Sequence, residues 1–172
     1  MIRDGNNVLI LLTYYVNDGE IQCPLLMESP TKGQSTIDIN STIRKNTTIL
    51  PNILEAHTLT RGDTGTSLNV VVKATVIKKL TGEHYNLTLI EDCSLITDDY
   101  PNMFQQAIGF VLSCYGQSQA STLTDARKRS WISKIAKVID KPNKLCSVPL
   151  STQAFEENVL WAHLPAAVWK HA

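Results

Sequence analysis

The sequence lacks an excess of charge of either sign, because 16 basic residues balance 16 acidic ones. No global field therefore favours a nucleic-acid or membrane partner, and any such argument has to come from the local distribution of charge. Cysteine is also scarce. The four cysteines are far apart and form no CxxC pair, which argues against a zinc ribbon or a thioredoxin-like site. A chain of this length does not need disulfides to fold, so we expect free, buried thiols at Cys23, Cys93, Cys114 and Cys146.

Short catalytic motifs are missing as well. The chain has no GxSxG, HExxH, phosphate-loop or GxGxxG pattern, and its four histidines show no spacing that would pair them with a nucleophile. The carboxylate pairs Glu91-Asp92 and Asp98-Asp99 lack calcium-loop spacing, and helix capping accounts for the second pair. We therefore expect no catalytic residue, no metal, no cofactor and no small-molecule substrate.

The longest apolar run, Val8 to Val16, has about half the length needed to span a bilayer. Its flank mixes Arg3 with Asp4, and a turn follows it in place of a small-residue cleavage site. The expectation is an intracellular, cytoplasmic protein with no signal peptide and no transmembrane segment. The run is interpreted as a strand, paired through Asn17-Asp18-Gly19 with a second strand at 21–27.

The clearest pattern in the chain is an alternation of apolar residues from Leu68 to Ile96. Leu68, Val70 and Val72 begin a face with a period of two, and Gly82 can take a positive φ at a turn. This pattern predicts a β-hairpin that pairs residues 68–80 with 84–96.

After Ile96 the apolar spacing changes to three and four, which predicts helices near 101–115, 124–139 and 152–163. A short helix opening with Pro51 is also favoured. Pro165 is expected to end or kink the last helix. The predicted fold class is α+β: an antiparallel sheet from the N-terminal half, with about three C-terminal helices packed on one face or end. We expect one domain over 1–172, strand-rich in 1–97 and helix-rich in 98–172.

One segment, 125–144, is strongly charged. It holds seven basic and two acidic residues, so it carries about +5 while the rest of the neutral chain carries about −5. On a helix these residues can form a basic face opposite an apolar side that includes Trp131 and Ile132. An acidic protein partner, a nucleic acid or an anionic membrane could use this face, and a solvated surface is the alternative. The basic residues are Arg127, Lys128, Arg129, Lys134, Lys137, Lys141 and Lys144.

The chain from Ser151 onward carries more apolar bulk than one face of a short helix can turn inward. We therefore predict self-association, most simply a two-fold dimer with Trp161 or Trp169 at its centre. The candidate interface residues are Phe155, Leu160, Trp161, Leu164, Val168 and Trp169.

These patterns together favour a non-enzymatic interaction or assembly protein that forms a homo-oligomer, with a viral or mobile-element structural protein as a special case. The first alternative is a protein that binds nucleic acid or an anionic membrane through residues 125–144. The second alternative is an enzyme of unknown type, because many active sites leave no short motif.

Overall fold

The computed structural model describes residues 5–28, 36–61, 68, 71–88, 90, 100–135 and 148–170. Within these ranges the chain is mostly helical, with seven helices and a small two-stranded antiparallel sheet. It divides into two compact units, Met1–Leu54 and Glu55–Ala172. The expectation that these units belong to one domain stays a prediction. In chain order the elements are α1 (Gly5–Asp18), β1 (Leu26–Met27), β2 (Ile37–Asp38), α2 (Ile39–Lys45), α3 (Leu50–Arg61), α4 (Lys73–Gly82), α5 (Tyr100–Cys114), α6 (Leu123–Ile135) and α7 (Thr152–Lys170).

The run from Val8 to Val16 is helical, so the predicted first strand is wrong. A run that is apolar on all sides has no period that could separate the two structures, and its β-branched and tyrosine residues favoured a strand. The glycine that follows does adopt a positive φ, of 86°, but it ends a helix instead of turning a hairpin. The backbone N–H groups of Glu20 and Ile21 both donate to Tyr15 O, which satisfies a carbonyl of the last turn.

The sheet of the first unit is two residues long on each side. Leu26 pairs with Asp38 and Met27 pairs with Ile37 in antiparallel register. The predicted strand at 21–27 is therefore reduced to its last two residues, and its partner is β2 instead of the run at 8–16. Asp38 then caps α2, since its Oδ1 accepts a hydrogen bond of 3.0 Å from the Ser41 N–H. In this unit α2 packs against α1.

Helix α3 begins one residue before Pro51, which agrees with the prediction of a short helix there and extends it to Arg61. Every side chain from 54 to 60 is buried, which is unusual for a helix that carries polar residues on several sides. Two of those residues bond back into the helix: Thr58 Oγ1 donates to Glu55 O at 2.9 Å, and Thr60 Oγ1 donates to Ala56 O at 2.7 Å. Local bonds of this kind allow the hydroxyls to be buried.

The predicted hairpin between 68–80 and 84–96 is wrong, because Lys73–Gly82 is helix α4. Alternating residues in a short segment also include pairs that are four apart, and Val76 and Leu80 form such a pair on the buried side of the helix. Beside this buried side, an i, i+4 salt bridge of 2.8 Å joins Lys79 Nζ and Glu83 Oε1. Packing of α4 on α5 thus overrides the strand preference of the valines. Most of the predicted second strand, at 91–96, lies outside the described residues.

The core of the second unit is centred on α5, which contacts α4, α6 and α7. Its buried side includes Ala107, Phe110 and Val111, all fully inaccessible to solvent. The helix ends at a glycine with a φ of 68°, Gly116, and the Gln117 N–H donates to Leu112 O at 2.8 Å. The three helices expected after residue 96 are therefore present, but the large sheet on which they were expected to pack is absent from the described part of the chain.

Candidate functional site

Helix α7 has one face in the core of the second unit. At 100° per residue, its buried residues fall within an arc of about 100°. The large side chain at the centre of this face is Phe155, which is fully buried and lies 5.8 Å from the ring of Phe104, centroid to centroid. This arc of buried residues is the face of α7 that is turned towards the core. Its buried members are Phe155, Asn158, Val159, Ala162 and Ala166.

Two polar side chains hold α7 to segments that are distant in the sequence. The buried Asn158 donates from Nδ2 to Leu59 O at 3.0 Å, and Leu59 lies two residues before Arg61, the last residue of α3. Nδ1 of His163 lies 2.6 Å from Ile90 O. Because a backbone carbonyl only accepts hydrogen bonds, Nδ1 must carry the proton. The two bonds fix the rotation of α7 about its own axis.

The helix continues through Pro165 to Lys170, so the predicted end near residue 163 is wrong. A proline removes one backbone bond, here the one to the Trp161 carbonyl, and Trp161 lies on the exposed side, where water can bond to that carbonyl. Packing beyond the proline stabilises the last turns. Ala166 is fully buried, and the ring of Trp169 stacks on that of His57 with centroids 6.1 Å apart and an interplanar angle of 25°.

The opposite face of α7 is apolar and exposed. Leu160 is 37% exposed, and the other three members are each 55–57% exposed. Their positions also fall within an arc of about 100°, whose centre lies about 160° from the centre of the buried arc. We call this set the outward stripe. It consists of Leu160, Trp161, Leu164 and Val168.

Other large apolar side chains are exposed in the second unit, but they are scattered. Val72 and Ile77 flank or lie on α4, and Ile132 on α6 is 65% exposed. The expectation that Ile132 belongs to the inward side of its helix is therefore wrong. Leu123, Ala126 and Ser130 form that side, because they recur at spacings of three and four. Isolated apolar residues are normal on a soluble surface, whereas four on two turns of one helix form a patch.

The structure thus divides the predicted interface residues into two groups. Phe155 is in the core, so it is unavailable to a partner and its inclusion in the interface is wrong. Trp169 is half-buried on the inward side, where it stacks on His57 instead of anchoring an exposed centre. The other four residues are the outward stripe. Helical phase would have separated the groups in the sequence, had the helix been extended past Pro165.

The basic segment is only partly described. Arg127 Nη1 donates to Pro149 O at 2.9 Å, so this guanidinium bridges α6 to the start of α7. Arg129 Nε pairs with Asp125 Oδ2 at 2.8 Å on the helix surface, and Lys128 is exposed. The side chain of Lys134, together with Lys137, Lys141 and Lys144, lies outside the described residues. The described part therefore contributes one structural arginine, one arginine in a surface ion pair and one exposed lysine.

A second polar cluster, which the sequence did not reveal, lies where α4 ends. Glu83 bonds to Lys79 and accepts a hydrogen bond from the Tyr85 hydroxyl, and the hydrogen bond from Lys79 is the main cause that lowers the pKa of Glu83. Burial and the bond to Glu83 raise the pKa of Tyr85 to about 12. Burial likewise raises the pKa of the Cys114 thiol to about 11. A thiol with a raised pKa is protonated at neutral pH, which is the opposite of an activated nucleophile.

The described ranges contain neither a candidate membrane span nor a candidate metal cluster. None of the helices found there is both long enough and apolar enough to cross a lipid bilayer. In the same ranges, no three or more histidine, cysteine, aspartate or glutamate side chains are grouped so that they could hold a metal ion.

Comparison with known proteins gives no further guide, because no family model, curated protein or solved structure matches this chain. The outward stripe of α7 is therefore the candidate site on structural grounds alone.

Proposed function

We propose that this protein is a non-enzymatic interaction protein that self-associates through the outward stripe of α7. The observation that carries the proposal is the exposure of Trp161, Leu164 and Val168, each more than half accessible, on two successive turns of one helix. The helix cannot turn these side chains inward, because Asn158 and His163 hold the opposite face. A second copy of the chain would cover the stripe.

The size of the stripe supports a binding role. Its four side chains expose roughly 400 Å² of apolar surface, which is in the range of the largest patch on a typical soluble monomer and often marks a functional site. Tryptophan is also enriched among residues that dominate binding energy, since its large rigid ring loses little conformational entropy on burial. The stripe places Trp161 directly beside Leu164, where a partner would cover both.

The same area limits the expected affinity between two copies of the chain. Two copies that bury only this stripe would remove roughly 800 Å² from water, less than the about 1,200–2,000 Å² of stable complexes. We therefore expect a weak dimer, with a dissociation constant on the order of micromolar. In this proposal α5 packs against α7 and supports it with its apolar stripe outward.

Binding of an acidic protein, a nucleic acid or an anionic membrane through the basic segment is the second candidate. It is favoured by the exposure of Lys128 at the start of a segment with five excess positive charges. If phosphates are bound there, affinity must fall steeply as salt rises, because each contact releases counterions. A gel shift and a vesicle flotation assay, each at low and at physiological salt, test this candidate. No binding in either assay would leave a protein partner or solvent on this face.

The test of the first candidate compares two charge insertions by light scattering at a high concentration of the full chain. Leu164→Lys places a cation in the middle of the stripe and should convert the associated protein to monomer. Ile132→Lys is the matched control, since Ile132 is at least as exposed but lies on α6. A monomeric wild type, or equal loss of association in both variants, would show that the stripe is not the contact.

A further inference from the structure

The charges at the two ends of α7 decide how a second copy would pair with it. Glu156 and Glu157 are exposed in the second turn, and Lys170 lies in the last turn. A parallel pair would bring four carboxylates together at one end and align the two helix dipoles. An antiparallel pair separates the two acidic ends and opposes the dipoles. We infer that two copies of this chain pack α7 against α7 in antiparallel orientation, an inference that rests on the proposed self-association.

The positions in the stripe also fix the register. Leu164 lies close to the midline of the stripe, and a two-fold axis through it sets Leu164 against Leu164 of the second copy. Trp161 and Val168 lie three residues before and four residues after, within 20° of one another around the helix. In an antiparallel pair related by a two-fold axis, a given flank of one helix faces the same flank of the other helix. Trp161 therefore covers Val168 of the second copy, and the symmetry produces this contact twice.

Disulfide trapping in the full chain tests both the orientation and the register. The variant Leu164→Cys should form a disulfide between its two copies under mild oxidation, because residues that face each other on a two-fold axis can come within the Cα separation that a disulfide needs. Glu157→Cys is the matched control, since position 157 lies on the same midline and is exposed. In an antiparallel pair its two copies are about 21 Å apart along the axis, so no bond forms, whereas in a parallel pair they face each other.

A second measurement removes the dependence on position 164. Trp161→Cys and Val168→Cys should give a mixed disulfide when the two variants are combined. Bonds are assigned by mass spectrometry of the linked peptides, with oxidised wild type as the baseline for the native cysteines, and circular dichroism shows whether each variant is folded. A disulfide between two copies of the Glu157→Cys variant overturns the inference while self-association stands. If the wild type is dimeric but neither the 164–164 disulfide nor the 161–168 disulfide forms, the antiparallel pairing is wrong and self-association stands. A monomeric wild type overturns both proposals.

Discussion

Removing the side-chain amide of Asn158 is expected to loosen α7 without touching the outward stripe. The Asn158 amide is the structural link between α7 and the C-terminal end of α3, through its 3.0 Å bond to Leu59 O. Asn158→Ala deletes the donor and leaves a buried carbonyl that no longer has this bond. Leaving a buried polar group unsatisfied costs about 1–3 kcal/mol. The loss of side-chain volume at a residue that is only 4% exposed adds to that cost.

Urea unfolding, followed by far-ultraviolet circular dichroism, measures this cost as a shift in midpoint at constant slope. Gln153→Ala is the control, because Gln153 is an exposed residue near the start of the same helix. We expect Asn158→Ala to lower the free energy of unfolding by about 2 kcal/mol or more, and the control to stay within about 0.5 kcal/mol. A loss below about 0.5 kcal/mol for Asn158→Ala would mean that water reaches the Leu59 carbonyl, and would refute the argument that α7 is fixed in rotation.

Three further predictions concern the core, a helix end and the response to alkali. Phe155→Ala should cost about 3–5 kcal/mol in the same assay, whereas Trp161→Ala should change stability by less than about 0.5 kcal/mol yet weaken association, and equal effects on stability would contradict the two-faced helix. Gly116→Ala should lower the free energy of unfolding by about 1 kcal/mol, because a φ of 68° disfavours a side chain. Gly109→Ala should raise it by about 0.5–1 kcal/mol, because no neighbouring element lies within 4 Å of the added Cβ. The reverse order would contradict the role of Gly116 at the end of α5. Because burial raises the pKa of Tyr85 to about 12, folding favours its neutral form, so this contribution to stability is complete below about pH 10 and is lost as pH rises towards 12. Burial also raises the pKa of Tyr115 to about 12, so ultraviolet titration of Tyr85→Phe should show a late step that is smaller by one tyrosine than in wild type, and an unchanged late step would contradict this assignment.

Local residue chemistry identified several features of the second half of the chain. Helix α5 follows its predicted bounds within one residue, because apolar side chains at spacings of three and four face one core and Tyr100-Pro101 opens the first turn. The excess apolar bulk after Ser151 also predicted that some of it would remain outside, and four residues of the outward stripe do so. In both cases the helical spacing of the apolar residues was sufficient for the prediction.

The same reasoning failed where the spacing of apolar residues fits both a helix and a strand. In the run from Val8 to Val16 almost every residue is apolar, so strand and helix were separated only by weak preferences. At 73–82 the alternating valines fitted a strand, but Val76 and Leu80 satisfy a helix equally well once α5 covers them. The glycine after the first run was correctly expected to lie at a turn. This glycine ends helix α1 instead of turning a hairpin. The sequence could not separate the two, because hairpin turns and helix C-caps both favour a glycine with a positive φ.

The partners of polar residues could not be derived from the sequence. Asn158 meets a carbonyl 99 residues away, and Arg127 meets one 22 residues away. Such pairs depend on tertiary packing and leave no local spacing. A polar residue on an otherwise apolar face was the only sign in the sequence of where α7 is held.

The concentration dependence of the mass of the wild-type chain tests the central claim most directly. Sedimentation equilibrium over a range from about 1 to 500 μM should show the average mass rising from 19.1 kDa towards twice that value, with a dissociation constant on the order of micromolar. A constant mass of 19.1 kDa across the whole range would contradict the account, since the outward stripe of α7 would then stay exposed in a protein that does not self-associate.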